Sequence, residues 1–221
     1  MALPKAIRSR MPGWMRDNPG LRAITLASGL IPPRPMHTAA EAELLGRLAT
    51  GARCVVEIGV YEGSSAFVFC DALTPVAQLH LIDPFVDESG WALRPGWHAT
   101  PTATRLAVRR RVRSGGPNIC WHIARSQDVG REWRGPAIDL VFIDGDHSPQ
   151  GCREDWEVWH PHVRPGGAVA FHDARLGSPD GTGSPGPTSV VAELFREAGS
   201  PDGWRLAEEV DTLVLVRRSG A

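Results

Sequence analysis

The chain has 221 residues, a formal net charge of −1 and 42% hydrophobic residues, which together fit one soluble α/β domain. The near-zero net charge argues against a nucleic-acid-binding protein that depends on a global basic field. No apolar run approaches the roughly 18 residues of a membrane-spanning helix. The four cysteines are widely spaced and form no C-x-x-C pair, so we expect reduced thiols in a cytoplasmic protein.

Residues 1–37 form a proline-rich, acid-poor arm ahead of the domain predicted over residues 38–221. Prolines at this density break any long helix. We expect the arm to pack on the domain or on a second subunit of a homodimer, and contact with an anionic substrate or a membrane surface is the alternative. The domain then starts with a helix, because Thr38 and Glu41 have the spacing of a capping box.

From residue 53 onward, short β-branched runs alternate with helical stretches. The strand candidates are residues 53–58, 78–83, 119–124, 138–144, 168–173 and 212–216. Helices are predicted at 64–73, 102–113, 150–159 and 190–198. This alternation predicts an α/β fold with a mostly parallel sheet and helices on both faces. The two long irregular segments, 85–99 and 174–187, have the length of functional lids or disordered loops.

The first predicted strand runs into a glycine-bearing turn with the sequence EIGVYEGS, residues 57–64. Gly59 permits a tight turn, and backbone amides at Gly63 and Ser64 suit an anionic group such as a carboxylate. Asp83 ends the second strand, where an acid can accept hydrogen bonds from ribose hydroxyls, although a solvated strand-end acid is the alternative. The spacing is not the G-x-G-x-x-G of a dinucleotide site, which argues against a nicotinamide dehydrogenase.

The segments VVEIGVYEGSSA (55–66) and LIDPF (81–85) resemble the first and second motifs of class I S-adenosylmethionine-dependent methyltransferases. The similarity continues through FIDGDHS (142–148), RPGG (164–167) and HD (172–173). It implies a Rossmann-like, doubly wound, seven-stranded sheet with an antiparallel last strand. It also implies an O-methyltransferase that converts S-adenosylmethionine to S-adenosylhomocysteine.

The same resemblance implies which residues contact the cofactor. Glu57, Gly59 and Ser64 match the positions near the methionine tail, and Asp83 matches the ribose position. Relatives often carry G-D-S after the third strand, whereas this chain has Ala-Arg-Ser at 124–126. Only Ser126 carries over, so the sequence offers no candidate for an acid that approaches adenine.

Acidic residues and a histidine follow the fourth and fifth predicted strands. Carboxylates such as those of Asp144 and Asp146 favour a hard cation such as Mg²⁺ or Mn²⁺. By the resemblance, Asp144, His172 and Asp173 match the three metal-ligand positions, and His172 replaces an acid or amide, which shifts the preference toward softer divalent metals. His147, Cys152, His160, His162 and His172 fall close in sequence, but a structural zinc site is disfavoured because there is a single cysteine and a predicted helix separates the histidines.

His147 is the predicted general base. By the resemblance, it lies where metal-dependent O-methyltransferases of the catechol type carry a lysine base. An ordinary histidine pKa of about 6.5 suits proton transfer near neutrality. Asp146 lies where the macrolide-sugar type carries an acidic base and is the second candidate. The alternative for His147 is a capping role or a contact that supports other site residues at the start of the next helix.

The acceptor follows from the resemblance alone. Relatives of the FIDGDHS type often methylate sugar hydroxyls, so a saccharide is the first expectation and a phenolic or natural-product hydroxyl the second. Trp91 and Trp97 of the 85–99 segment could stack on such an acceptor. A non-catalytic cofactor-binding protein is the competing class, and a serine hydrolase is disfavoured because the G-x-S-x-G elbow is missing.

Overall fold

The computed structural model describes residues 18–85, 99–112, 115–177, 182–197 and 199–220. Its strands are β1 (Cys54–Ile58), β2 (Gln78–Ile82), β3 (Asn118–His122), β4 (Ile138–Ile143), β5 (Val163–Phe171), β6 (Trp204–Val210) and β7 (Leu213–Arg218). Its helices are α1 (Pro19–Ser28), α2 (Ala39–Ala49), α3 (Ser64–Ala72), α4 (Pro101–Arg111), α5 (Ser126–Arg131), α6 (Pro149–Trp159) and α7 (Pro185–Ala192).

The strands in the described ranges form one seven-stranded sheet in the order β3-β2-β1-β4-β5-β7-β6. Strands β1 to β5 pair in parallel, and β7 runs antiparallel to both β5 and β6. The last strand is therefore the antiparallel one, which confirms the predicted Rossmann-like sheet.

Two apolar clusters cover the two faces of the sheet. Because side chains alternate along a strand, Cys54 and Val56 of β1 lie in one cluster while Val55 lies in the other. Trp156 of α6 belongs to the first cluster and Leu45 of α2 to the second. Helices therefore pack on both faces, as predicted.

Three described elements were missed by the sequence prediction: α1, α5 and β6. Helix α1 lies inside the proline-rich arm, where Pro19 occupies the first turn and the side chain of Asn18 caps the helix. The helix ends at Gly29, whose φ is +75°. A proline in the first turn is tolerated because its missing N–H would have no partner within the helix, so the prolines bound this helix instead of breaking it.

Helix α7 begins at Pro185, whereas the sequence predicted a helix only from Val190. It therefore takes up the end of the 174–187 segment that was predicted to be irregular. Strand β6 was missed because five of its seven residues are only half-buried at the sheet edge, so it lacks a strong apolar run.

Two further observations concern the cysteines and the length of the helices. All four cysteines are free thiols, as predicted. Among the helices of the described ranges, none combines the length and the apolar character that crossing a membrane requires.

Candidate active site

The carboxyl ends of four neighbouring strands are joined into one row by backbone hydrogen bonds. Asp144 N donates to Ile58 O at 2.9 Å, and His172 N donates to Ile143 O at 3.0 Å. On the other side of β1, Gly59 N donates to Ile82 O at 2.9 Å. Parallel strands place their carboxyl ends at the same edge, so the residues that follow β1, β2, β4 and β5 meet there.

Asp83 holds the turn that follows β1. Its Oδ2 accepts hydrogen bonds from the backbone N–H groups of Val60 at 2.9 Å and Tyr61 at 2.8 Å. Its Oδ1 accepts from Phe85 N at 2.6 Å. Burial raises the pKa of Asp83, and these three backbone donors act in the opposite direction. The predicted ribose acceptor is thus also the residue that fixes the turn.

Glycine is required where this turn meets the end of β4. Gly59 has φ +85°, and a Cβ there would lie 2.0 Å from the backbone oxygen of Asp144. Gly63 has φ +87° and begins α3 without a side-chain cap. The amide groups at the start of α3 therefore have no competing side-chain acceptor on the preceding residue.

Glu57 presents an unpartnered oxygen beneath the turn. The side chain is completely buried, and its Oε1 accepts a hydrogen bond from Ser65 Oγ at 2.5 Å. Its Oε2 is buried without a hydrogen-bond partner. Burial raises the pKa of Glu57 well above its usual value. A buried acid in this state is ionised more readily when a positively charged donor arrives beside it.

Glu62, which the sequence analysis did not single out, ties the N-terminal arm to the turn. Its carboxylate accepts from Arg22 Nε at 2.5 Å, from Arg34 N at 2.7 Å and from an Arg34 guanidinium nitrogen at 2.9 Å. The same Arg34 nitrogen donates to Tyr61 Oη at 2.9 Å. Arg22 and Arg34 therefore tie the described part of the arm to the turn of their own domain.

An acid does lie near Ser126, although it comes from a different element. Asp155 of α6 accepts hydrogen bonds from Ser126 Oγ and from Gln127 Nε2, the latter at 2.8 Å. Burial raises the pKa of Asp155 to about 7. The sequence missed this contact because Asp155 lies 29 positions beyond Ser126.

Asp144, His147 and Asp173 converge at the carboxyl ends of β4 and β5. Each offers one donor atom, and these atoms all lie within 4.8 Å of one another. His147 Nε2 lies 3.1 Å from Asp173 Oδ2 and 3.7 Å from Asp144 Oδ1. In the described ranges this is the one group of at least three such residues close enough to hold a cation.

The acids and histidines of this cluster shift one another's pKa. Burial acts to lower the pKa of His147, but the carboxylates of Asp144 and Asp173 raise it to about 10. Burial acts to raise the pKa of Asp144, yet His172 and His147 keep it below the usual value. The cluster thus carries two carboxylates and a charged imidazole when nothing else is bound.

His172 lies outside this group, on its buried side. Its Nδ1 is 3.0 Å from Asp144 Oδ1, and its Nε2 is 3.4 Å from Glu41 Oε2. Burial would raise the pKa of Glu41, but hydrogen bonds, first that of His172, lower it to about 2. One ring nitrogen of His172 therefore faces the cluster, and the other faces α2.

Asp146, the second candidate for the base, is exposed and does not belong to the cluster. Its Oδ1 accepts a hydrogen bond from Ser148 N at 2.8 Å, where α6 begins. Such a contact is typical of an aspartate that shapes the turn before a helix. The geometry therefore brings His147, and not Asp146, to the carboxylates.

The two predicted lid segments are only partly described. Trp91 and Trp97 lie outside the described residues. The described end of the second segment packs on the cluster: Ser184 N donates to Asp173 O at 2.7 Å, and a Cβ on Gly186 would lie 2.0 Å from His147 O. Helix α7 thus forms part of the wall around the cluster.

The known proteins to which this chain is similar include several O-methyltransferases. The family described as "Methyltransferase domain" matches residues 56–174. A protein of Mycobacterium sp. (strain JLS), named "Putative O-methyltransferase", is 30% identical over 80% of this chain and 71% of its own length. The structure of the O-methyltransferase TomG from Streptomyces achromogenes, in complex with SAM, covers 90% of this chain and 88% of its own, with 22% identity and a TM-score of 0.60. The structure of CalS11, a TDP-rhamnose 3'-O-methyltransferase of calicheamicin biosynthesis, covers 89% and 91%, with 17% identity and a TM-score of 0.57.

Proposed function

Since this chain belongs to the methyltransferase domain family and is an S-adenosylmethionine-dependent O-methyltransferase, we propose that it methylates a hydroxyl of a small-molecule or oligosaccharide acceptor with the help of a divalent cation. The observation that carries the metal-assisted part is the convergence of Asp144, His147 and Asp173 within 4.8 Å. Mg²⁺ or Mn²⁺ suits such a site, because these cations are often held by one or two carboxylates while water or substrate oxygens complete the coordination.

The first turn fits S-adenosylmethionine, whose sulfonium supplies the electrophilic methyl group when it is bound. Glu57 Oε2 is buried without a hydrogen-bond partner, so it can accept from the ammonium group of the methionine tail. The amide groups of Gly63 and Ser64 at the start of α3 suit the carboxylate of that tail. Asp83 is the proposed residue for the ribose and Ser126 the proposed residue for adenine, both from the resemblance of the motifs.

Asp144 and Asp173 are the residues that would hold the cation. Their carboxylates come from neighbouring strand ends and face a common space that is partly open. A bound dication would lower the pKa of the acceptor hydroxyl and orient it. The rigid strand ends contribute positioning, since Asp144 is fixed by its backbone hydrogen bond to β1.

His147 would accept the proton of the acceptor hydroxyl at Nε2. The atom lies on the cluster, 3.1 Å from Asp173. While no cation compensates the charges of Asp144 and Asp173, these carboxylates outweigh the effect of burial and raise the pKa of His147 to about 10. With the negative charge of Asp144 and Asp173 compensated, the cause of that rise is removed, and a neutral imidazole can act as the base.

A saccharide hydroxyl is the proposed acceptor group. The support is the FIDGDHS motif at 142–148 together with the fold shared with CalS11, a TDP-rhamnose 3'-O-methyltransferase. A phenolic hydroxyl is the second candidate class, and TomG, an O-methyltransferase of tomaymycin synthesis, has the same fold. A panel of nucleotide sugars, oligosaccharides and phenols separates the two.

The test combines binding and turnover. Calorimetry should show binding of S-adenosylmethionine and S-adenosylhomocysteine, and transfer of a radiolabelled methyl group to a sugar should depend on added Mg²⁺ or Mn²⁺ and stop with a chelator. Transfer that is unaffected by a chelator contradicts the metal-assisted part. Cofactor binding without transfer to any acceptor of the panel contradicts the proposed acceptor class.

A further inference from the structure

A continuous line of buried polar groups connects α2 to the candidate active site. It runs from Glu41 through His172 to Asp144, with separations of 3.4 Å and 3.0 Å between the facing atoms. Glu41 is 1% exposed and His172 is 5% exposed. Buried charged groups of this kind are costly unless they are paired, so their placement calls for a specific role.

Glu41 accepts more hydrogen bonds than a helix cap requires. Its Oε2 accepts from Thr38 N at 2.8 Å and completes the predicted capping box. Its Oε1 accepts from Thr212 N at 2.9 Å and Thr212 Oγ1 at 2.7 Å, in the connection between β6 and β7. Two distant segments thus hold this carboxylate still while Oε2 also faces His172.

Both ring nitrogens of His172 face carboxylate oxygens. Nε2 faces Glu41, and Nδ1 faces Asp144 at 3.0 Å and Asp173 at 3.6 Å. An ionised carboxylate only accepts hydrogen bonds, so the ring that lies between Glu41 and Asp144 is the donor that links them. A carboxylate that holds one nitrogen of a histidine fixes the orientation of the ring, and with it the direction of the other nitrogen.

We propose that Glu41 and His172 are a positioning pair that holds the carboxylate of Asp144 toward the cation and acceptor. It rests on the proposed function, because it presumes that Asp144 binds a cation. Helix α2, which precedes the first strand, thereby becomes part of the catalytic apparatus.

The test compares binding of Mn²⁺ alone in the unaltered protein, Glu41→Gln, His172→Asn and Thr38→Ala. Groups that orient metal ligands typically change metal affinity 10- to 100-fold, so we expect Glu41→Gln and His172→Asn to weaken Mn²⁺ binding by about tenfold or more. Binding of S-adenosylhomocysteine should stay unchanged in both. Thr38→Ala is the matched control, since it damages the same helix cap without touching His172 and should retain both affinities.

Three outcomes overturn the proposal. If Glu41→Gln binds Mn²⁺ as the unaltered protein does, the pair does not position Asp144. If His172→Asn abolishes Mn²⁺ binding while Glu41→Gln leaves it intact, His172 is a ligand. If the unaltered protein binds S-adenosylhomocysteine but not Mn²⁺, the cation part of the proposed function fails, and this inference fails with it. Thermal unfolding of each variant identifies loss of fold, and His172→Asn still tests the pair should Glu41→Gln unfold.

Discussion

The turn after β1 (residues 57–64) and the cluster of Asp144, His147 and Asp173 lie side by side but depend on different interactions. In the turn, the shape depends on backbone groups, because Asp83 accepts hydrogen bonds from the amides of Val60 and Tyr61. In the cluster, side-chain charges face one another, two carboxylates against one imidazole. A backbone-built site keeps its shape under most substitutions, whereas a charge-built site depends on every member.

Two buried glutamates of the turn show the same contrast within six residues. Glu62 is paired with Arg22 and Arg34, whereas one oxygen of Glu57 is buried without a hydrogen-bond partner. A paired buried carboxylate stabilises the fold around it only while its partners remain, and an unpartnered one favours a ligand. Burial by itself therefore does not distinguish a structural acid from a binding acid.

The largest expected effect is on turnover. His147→Ala should reduce kcat by about 100- to 10,000-fold, which is the usual contribution of a general base, and leave S-adenosylhomocysteine affinity unchanged. Asp146→Asn is the matched control and should retain turnover, because the asparagine oxygen can still accept from Ser148 N. The measurement is methyl transfer to the acceptor found by the panel. Equal losses in both variants would remove His147 from its proposed role.

Gly59→Ala tests the point where the two regions touch. The added Cβ would lie 2.0 Å from Asp144 O at φ +85°. We expect a loss of about 3 kcal/mol in the free energy of unfolding, from strain in the backbone and overpacking together. Gly51→Ala is the control: its φ is +80°, but nothing lies within 4 Å of the new Cβ, so only the backbone cost of about 1–2 kcal/mol applies. Chemical denaturation measures both, and equal costs would mean that the close approach is unimportant.

Glu57→Gln and Glu62→Gln should separate binding from folding. Glu57→Gln should weaken S-adenosylmethionine binding by about tenfold, the worth of one hydrogen bond to a charged group, with little loss of stability. Glu62→Gln should cost about 3 kcal/mol of unfolding free energy, because it leaves Arg22 and Arg34 without their carboxylate. Calorimetry and denaturation on both variants check this; the reverse pattern would show that the unpartnered oxygen of Glu57 is not a binding group.

Per pH unit, the smallest expected change in stability comes from the buried acid beside Ser126. Because the pKa of Asp155 is about 7 in the folded chain and about 4 when unfolded, the folded state keeps this proton longer as pH rises. Stability should therefore fall between pH 4 and pH 7, by up to about 1.4 kcal/mol per pH unit from this group. Asp155→Asn should lack that component. Denaturation curves at several pH values test it, and parallel pH profiles for the two proteins would contradict it.

Much of the fold and the main motifs could be predicted from local sequence. Three features depend on residues a few positions apart: the alternation of strands and helices, the capping box at Thr38 and Glu41, and the strand ends that form the cluster. The missed features depend on distant residues. Glu62 meets Arg22 across 40 positions, and Glu41 meets Thr212 across 171.

The sequence by itself determined the parallel sheet and which residues follow each strand, because strand and helix periodicity and turn-forming glycines act locally. Only the tertiary structure decided which charge faces which. It placed His172 between Glu41 and Asp144, brought His147 to the two carboxylates, and buried one oxygen of Glu57 without a hydrogen-bond partner. Electrostatic pairing and desolvation act through space between residues that are far apart in the chain. The partner of each charged group is therefore decided only when the chain is folded.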